Sequence, residues 1–439
     1  MKTDVLIIGG GPGGSAAAMF LLRQGITPLI IEQEEFPRFH IGESLTGESA
    51  QVLRRLGLEE EMKKREYPIK HGVKVYGTNA TNSWYVKVSS RDDNWELYDN
   101  ITWQVRRSDF DEMMQKEAVK RGAILKKGQA IQALKHEDGS MRGVLVRWPD
   151  GTTEEIEAKV TLDCSGQATF LANQKVTGPK YLGSYDKQVA FFSHVKGAIR
   201  DSGTEGENAK DNTLILYHNK FHWAWFIPVS DELTSVGVVF RTDYFKKAGM
   251  PKEQMMLHEC RHMTPVLSER LPDLTPQEPI YAIPNFSYRV QNYTGKGFLC
   301  IGDSHRFIDP IFAYGVYFGI QEGEFAAEAI ARHISGEVKS NGNPFADFER
   351  LCDEGQDVVE DVIGVLWEYP LAFQRIVTWR DKVDSLDLLA GRIYGEEGAK
   401  NPARIAMRRL MATKESERNE ACAAKAMATA KRPELVSAG

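Results

Sequence analysis

Three glycines in the spacing Gly-x-Gly-x-x-Gly, at Gly9, Gly11 and Gly14, followed by an acid at Glu32, are the first residues of this 439-residue chain that point to chemistry. Each glycine meets a separate need of a dinucleotide pyrophosphate. Gly9 allows a tight turn, Gly11 lets the backbone approach the phosphates, and Gly14 lets a helix pack closely on a strand. The helix that follows turns unpaired N–H groups and its positive dipole end toward the phosphates. Glu32, 18 residues past Gly14, is placed to accept hydrogen bonds from a ribose hydroxyl. Arg38 stands where a cation could meet a phosphate, with an ordinary surface ion pair as the alternative. Asp303 ends a strand-like run from Gly297, at the edge where α/β folds bind ligands. Trp223 and Trp225, two apart in Phe221-His-Trp-Ala-Trp-Phe-Ile-Pro228, share one face of a strand. They would form either the wall of a passage or an aromatic core stripe.

These residues need particular elements to hold them. Val5–Ile8 reads as a buried strand, Ser15 to about Gln24 as a helix stopped by Gly25, and Pro28–Ile31 as a second strand ending at Glu32. Lys2, the apolar run and Ala16-Ala17-Ala18 superficially suggest a signal peptide, but Asp4 and five glycines interrupt the run. Ser44 or Thr46 caps a helix to Leu56, with Glu48 in its first turn. A charged helix, Glu59 to Glu66, leads to Pro68. Val73, Val75, Trp84, Val86 and Val88 alternate as half-buried strands do, Trp103–Arg107 reads as a strand, and Ser108–Asp111 caps a helix reaching Arg121. Residues 123 to 163 are successive strands, and Val160–Gly166 returns the chain to the dinucleotide sheet. Strands recur from 186 to 241 around a polar loop, Asp201 to Asp211. Pro251–Leu271 is helical, a helix runs from Gly315 or Val316 to about His333, and two or three more follow to about Ala412.

Composition excludes several function classes. A net charge of −6 and 42% apolar content describe an ordinary globular protein, with nothing that favours nucleic acid or an anionic membrane. No apolar run reaches a membrane span. Five scattered cysteines, without C-x-x-C, read as reduced thiols of a cytoplasmic protein with no disulfide framework and no metal site.

The glycine-rich unit, Arg107, Asp163-Cys164-Ser165-Gly166 and Gly302-Asp303 together resemble the para-hydroxybenzoate-hydroxylase type of FAD-binding fold, over roughly residues 1 to 340. The resemblance implies an α/β fold and FAD, with Glu32 on the adenosine ribose, Asp303 near the ribityl chain or pyrophosphate, and residues 307–315 beside the isoalloxazine ring. Trp223-x-Trp225-x-Ile227-Pro228 resembles the signature of flavin-dependent halogenases. Residues 35–45, including Arg38 and Ser44, look like that family's link after the ribose strand, and Lys70-x-Gly72 looks like the segment bearing its catalytic lysine. Phe307-x-x-Pro310-x-x-Ala313-Tyr314-Gly315 is similar to its flavin-side motif, with Ala313 where serine is usual. Backbone N–H groups of Ala313, Tyr314 and Gly315 would then hold halide, and Pro310, Gly315 and Val316 would touch the flavin.

The chemistry this resemblance implies uses reduced FAD from a separate reductase, oxygen and halide to make hypohalous acid. Lys70 then delivers electrophilic halogen to an electron-rich aromatic substrate, free or carrier-tethered, of the phenol or pyrrole type rather than tryptophan. Lys74 is the weaker competitor, sharing the face of Lys70 only if the strand already starts at 70. An FAD-dependent reductase of the geranylgeranyl-reductase type and a flavin monooxygenase are the alternatives. The expected organisation is a discontinuous Rossmann-like FAD-binding domain (1–70, 100–180 and 290–340) with an inserted β-sheet substrate domain (71–99 and 181–289). A helical C-terminal region (341–412) and a flexible or helical tail (413–439) complete it. Trp367, Tyr369, Phe373 and Trp379 read first as helix packing and second as an aromatic pocket wall.

Overall fold

The computed structural model describes residues 1–78, 82–92, 94–182, 187–284, 287–338 and 342–413; the expected tail beyond Thr413 lies outside them. The strand Lys2–Ile8 is parallel to both Pro28–Glu32 and the end of Thr153–Asp163. Ile124–Lys127 extends this sheet beyond Pro28–Glu32, and Phe298–Cys300 beyond Thr153–Asp163. Val5–Ile8 and all of Pro28–Glu32 are buried, as strands covered on both faces must be. Residues 160–163 therefore do return to the first sheet. The glycine-rich helix, Pro12–Arg23, starts three residues before the expected Ser15, because proline fits the first turn of a helix. Gly9 takes φ +101°, and a Cβ on Gly14 would lie 2.0 Å from the Gly9 carbonyl oxygen, so strand-to-helix packing here has no room for a side chain. The helix Gly315–Ile334 packs on the same helix through Gly319 and Gly323. A Cβ on Gly13 would come within 3.2 Å of the Gly319 carbonyl oxygen.

A second sheet takes Gly72–Tyr76 and Ser83–Lys87 together with Gln188–Lys196, Thr213–Asn219, His222–Pro228 and Thr234–Arg241. Its two faces separate by residue parity. Phe191, Phe226, Val238 and Phe240 share a core with Met255, Met256 and Leu267, which come from the helices Lys252–His262 and Pro265–Arg270. Phe192, Ile215, Trp223, Trp225 and Ile227 face the main core.

Several local expectations are corrected. Only Thr102–Trp103 is a strand; the Val105 N–H bonds the Glu43 carbonyl, and the helix already begins at Arg107. Asp109 caps nothing, because Arg65 and Tyr67 hold its carboxylate. The helical stretch 251–271 breaks at Thr264-Pro265, where Thr264 caps a new helix. Thr46, not Ser44, caps Gly47–Arg55, in a reciprocal box with Ser49. Beyond Ala346–Glu368 come Pro370–Arg375, a π turn Ile376–Arg380, Lys382–Ala390, Gly395–Ala399 and a helix over 402–413, more pieces than expected. Among the described residues no helix is long and apolar enough to cross a membrane.

Candidate active site

Both sheets and the C-terminal helices wall one cavity of about 1030 Å³. At its nucleotide end lie Gly9, Gly11, Glu32 and Arg38. The two Glu32 oxygens accept from the Gly10 N–H (2.6 Å) and the Glu34 N–H (2.7 Å). A carboxylate has about four acceptor positions, so two are left for a ribose. The Gly14 cradle, the open first turn of the glycine-rich helix and this oriented acid fit an adenine dinucleotide.

Arg38 and Arg107 converge on a residue expected only at a helix start. Asp111, fully buried, accepts from Arg107 Nε (2.6 Å) and Nη2 (2.9 Å) and from Arg38 Nη1 (3.0 Å). The only sequence signal of this role is the four-residue spacing from Arg107, which places both on one helix face. Arg107 also donates to the Ile41 carbonyl, tying the 38–45 segment to the helix. Asp303 lies in a short turn, Gly302–Ser304, on the cavity wall. Burial pushes its carboxyl up to about 7, against the opposing pull of Arg107 and a hydrogen bond from Gln167. Behind this turn, Glu322, which the sequence reading missed, accepts from the Gly302 N–H at 2.6 Å and from Gln356 at 2.6 Å.

Lys70 is 4% exposed and lines the same cavity. It sits on a two-residue strand, Ile69–Lys70, paired with Thr102–Trp103. Its Nζ donates to Ser44 Oγ (2.9 Å) and the Leu45 carbonyl (2.9 Å), with no carboxylate partner among the described residues. Burial alone lowers it from the ordinary 10.5 to about 7. Ser44, expected at the cofactor, has its hydroxyl engaged by Lys70 and by Thr213 Oγ1 at 2.9 Å. Lys74 belongs to the next strand, bonds Asn208 (3.1 Å) and lies 3.7 Å from Asp201, as a structural lysine does.

Trp223, Trp225 and Ile227 line the cavity together, the two indole centroids 5.8 Å apart. Trp225 Nε1 donates to Ser235, whereas the buried Trp223 Nε1 has no partner among the described residues. Pro228 ends the strand and is buried away from the cavity lining. Phe307, Pro310, Ala313, Tyr314, Gly315 and Val316 also line the cavity. Asp309 bonds the Ile311 N–H (3.1 Å) and accepts from Trp367 Nε1 (3.1 Å), fixing the turn Pro310–Phe312 against a C-terminal helix. Ala313 follows at φ +60°, and its N–H bonds the Pro310 carbonyl. The expected halide donors therefore narrow to the N–H groups of Tyr314 and Gly315, at the start of the helix Gly315–Ile334. The Tyr314 ring turns to the C-terminal helices, its hydroxyl donating to the Leu388 carbonyl at 2.7 Å. Phe373 reaches the cavity as the aromatic-wall alternative required, but Trp379 is 71% exposed.

The chain matches the FAD binding domain family over residues 2–351. It is 36% identical over 402 residues to the 1H-pyrrole-2-carbonyl peptidyl-carrier-protein brominase of Pseudoalteromonas luteoviolacea, covering 91% of this chain and 94% of that protein. The corresponding chlorinase of Pseudomonas fluorescens is 27% identical over 430 residues, 94% of each chain. Among solved structures, the flavin-dependent brominase Bmp2 superposes with a TM-score of 0.86 at 36% identity, covering 95% of this chain and all of that one.

Proposed function

The chain belongs to the FAD binding domain family and, within it, to the flavin-dependent halogenases; on that premise we propose that Lys70 transfers the halogen, and that the acceptor is an electron-rich ring, pyrrole-like, tethered to a carrier protein. The reductase and monooxygenase alternatives give way to the halogenase family. Bound FAD, reduced and with oxygen, supplies the oxidising power that turns halide into hypohalous acid.

The remaining work belongs to side chains. Gly9, Gly11, Gly14 and Glu32 hold the dinucleotide, and Arg38 and Arg107, aligned by Asp111, carry the positive charge that phosphates need. Tyr314 and Gly315 offer two N–H groups to a halide. Trp223, Trp225 and Ile227 exclude water from the space between this turn and Lys70. The observation that carries the proposal is the amine itself: buried on the cavity wall, held by one hydroxyl and one carbonyl, with no carboxylate partner among the described residues. Near pH 7 its neutral form is available as a nucleophile. Attack of that nitrogen on the halogen of hypohalous acid forms N–halogen, breaks O–halogen and, after proton transfer from nitrogen to the departing hydroxide, releases water. The ring then takes the halogen as an electrophile and loses a proton, and the nitrogen keeps the bonding pair.

Support for the tethered pyrrole is the naming of two relatives that span nearly the whole chain. A separate reductase agrees with the single nucleotide fold in the sequence. Purified enzyme given reduced FAD, oxygen and bromide or chloride is assayed with pyrrole-2-carbonyl carrier protein and with a phenol panel, using mass spectrometry for halogen isotope patterns. Halogenated pyrrole on the carrier is the expected product. Halogenated free phenols with no carrier-linked product would overturn the substrate proposal.

A further inference from the structure

Resting on the carrier-tethered reading, we infer that the exposed face of residues 370–383 is the surface on which an acidic carrier protein docks. Leu371 and Trp379, 82% and 71% exposed, are the two most exposed large apolar side chains among the described residues. Such exposure has a cost in water unless something covers it. Leu371, Arg375 and Trp379 recur every four residues across Pro370–Arg375 and the π turn Ile376–Arg380, and the Arg375 guanidinium lies 5.1 Å from the Trp379 ring centroid.

Two observations choose the occupant. The first is continuity with the site. A shallow groove of about 390 Å³ is lined by Leu371, Gln374, Arg375, Thr378 and Trp379, and Leu371 and Gln374 also line the main cavity. The groove thus adjoins the cavity at Leu371 and Gln374, next in the chain to the cavity-lining Pro370 and Phe373. A partner seated there can pass a flexible arm straight into the cavity. The second is charge. Between 370 and 383 stand Arg375, Arg380 and Lys382 against one acid, Asp381, in a chain of net charge −6. Asp381 pairs with Arg380 at 3.4 Å, whereas Arg375 and Lys382 have no carboxylate partner among the described residues. An aromatic and aliphatic centre with unpaired cations beside it suits a partner with an acidic rim.

The test uses the full-length FAD-loaded enzyme with pyrrole-2-carbonyl carried on an acidic peptidyl carrier protein, and with the same acyl group on free pantetheine. Arg375→Glu and Trp379→Ser should each raise the KM for the carrier-linked ring tenfold or more. Their kcat, FAD affinity and rate of reduced-FAD reoxidation should stay at the parent's values, and the parent's loss of carrier affinity with salt should vanish in Arg375→Glu. Carrier KM values within twofold of the parent in both variants would overturn the docking surface and leave the tethered substrate standing. A parent that consumes the pantetheine-linked ring as readily as the carrier-linked one would overturn the tethered reading and this surface with it. A parent dimer that Arg375→Glu separates, with carrier KM unmoved, would assign the patch to a second copy and likewise overturn the proposal.

Discussion

Replacing Lys70 by methionine, an unbranched side chain of similar length, separates the cost of burying the amine from its use. The unfolded chain keeps this lysine protonated up to about 10.5, whereas in the fold it loses its proton above about 7. Between those values the unfolded state binds more protons, so this group makes stability rise with pH. The gap between the two values corresponds to about 5 kcal/mol, present in full as a penalty below pH 7 and gone above pH 10.5. Methionine removes the penalty and also the two hydrogen bonds, to Ser44 and the Leu45 carbonyl, each worth about 1 kcal/mol. The variant should therefore be more stable than the parent by about 3 kcal/mol at pH 6 and less stable by about 2 kcal/mol at about pH 10.5, the two curves crossing at about pH 9.

Urea unfolding of both proteins across that range reads the difference directly. In parallel, Lys70→Met should yield no halogenated product while binding FAD and reoxidising reduced FAD at the parent's rate. Lys70→Arg adds a second readout. Its guanidinium still donates hydrogen bonds but stays protonated, so a nitrogen that must take up halogen fails there and a mere donor does not. Parallel stability curves for parent and Lys70→Met would refute the buried-amine argument, and halogenated product from that variant would refute the relay.

Three further outcomes follow from the geometry. Ser44→Ala removes one of two anchors of the lysine, so halogenation should fall several-fold with the FAD dissociation constant unchanged; a weakened dissociation constant would instead return Ser44 to the cofactor. Trp223→Ala empties much of the cavity wall and should lower stability by about 3–5 kcal/mol. It should also reduce the halogenated product formed per reduced FAD consumed, measured by product yield against oxygen uptake, and unchanged coupling would count against the indole wall. Asp111→Asn leaves the buried Arg107 guanidinium and the partly exposed one of Arg38 short of their counter-charge, a change worth about 3–5 kcal/mol. Thermal unfolding should shift down and FAD affinity fall together, and loss of neither would show the arginines are positioned by other groups.

The nucleotide half of the molecule was legible in the order of its residues. Gly9, Gly14 and Glu32 act within one contiguous strand–helix–strand unit, so their spacing alone states the geometry, and the fold has the expected parallel register. Residue parity likewise set Trp223, Trp225 and Ile227 on one face, because a strand alternates whatever surrounds it. What depends on partners distant in the chain was not legible. That Lys70 rather than Lys74 is the buried, uncompensated amine follows from Ser44, Leu45, Asp201 and Asn208, which no local pattern connects. Asp111 as the clamp of two arginines, Glu322 behind the Gly302 turn and the occupied N–H of Ala313 are of the same kind. A carboxylate or amine acquires its role from the charges and dipoles folded around it, and these are brought together only when the chain closes on itself.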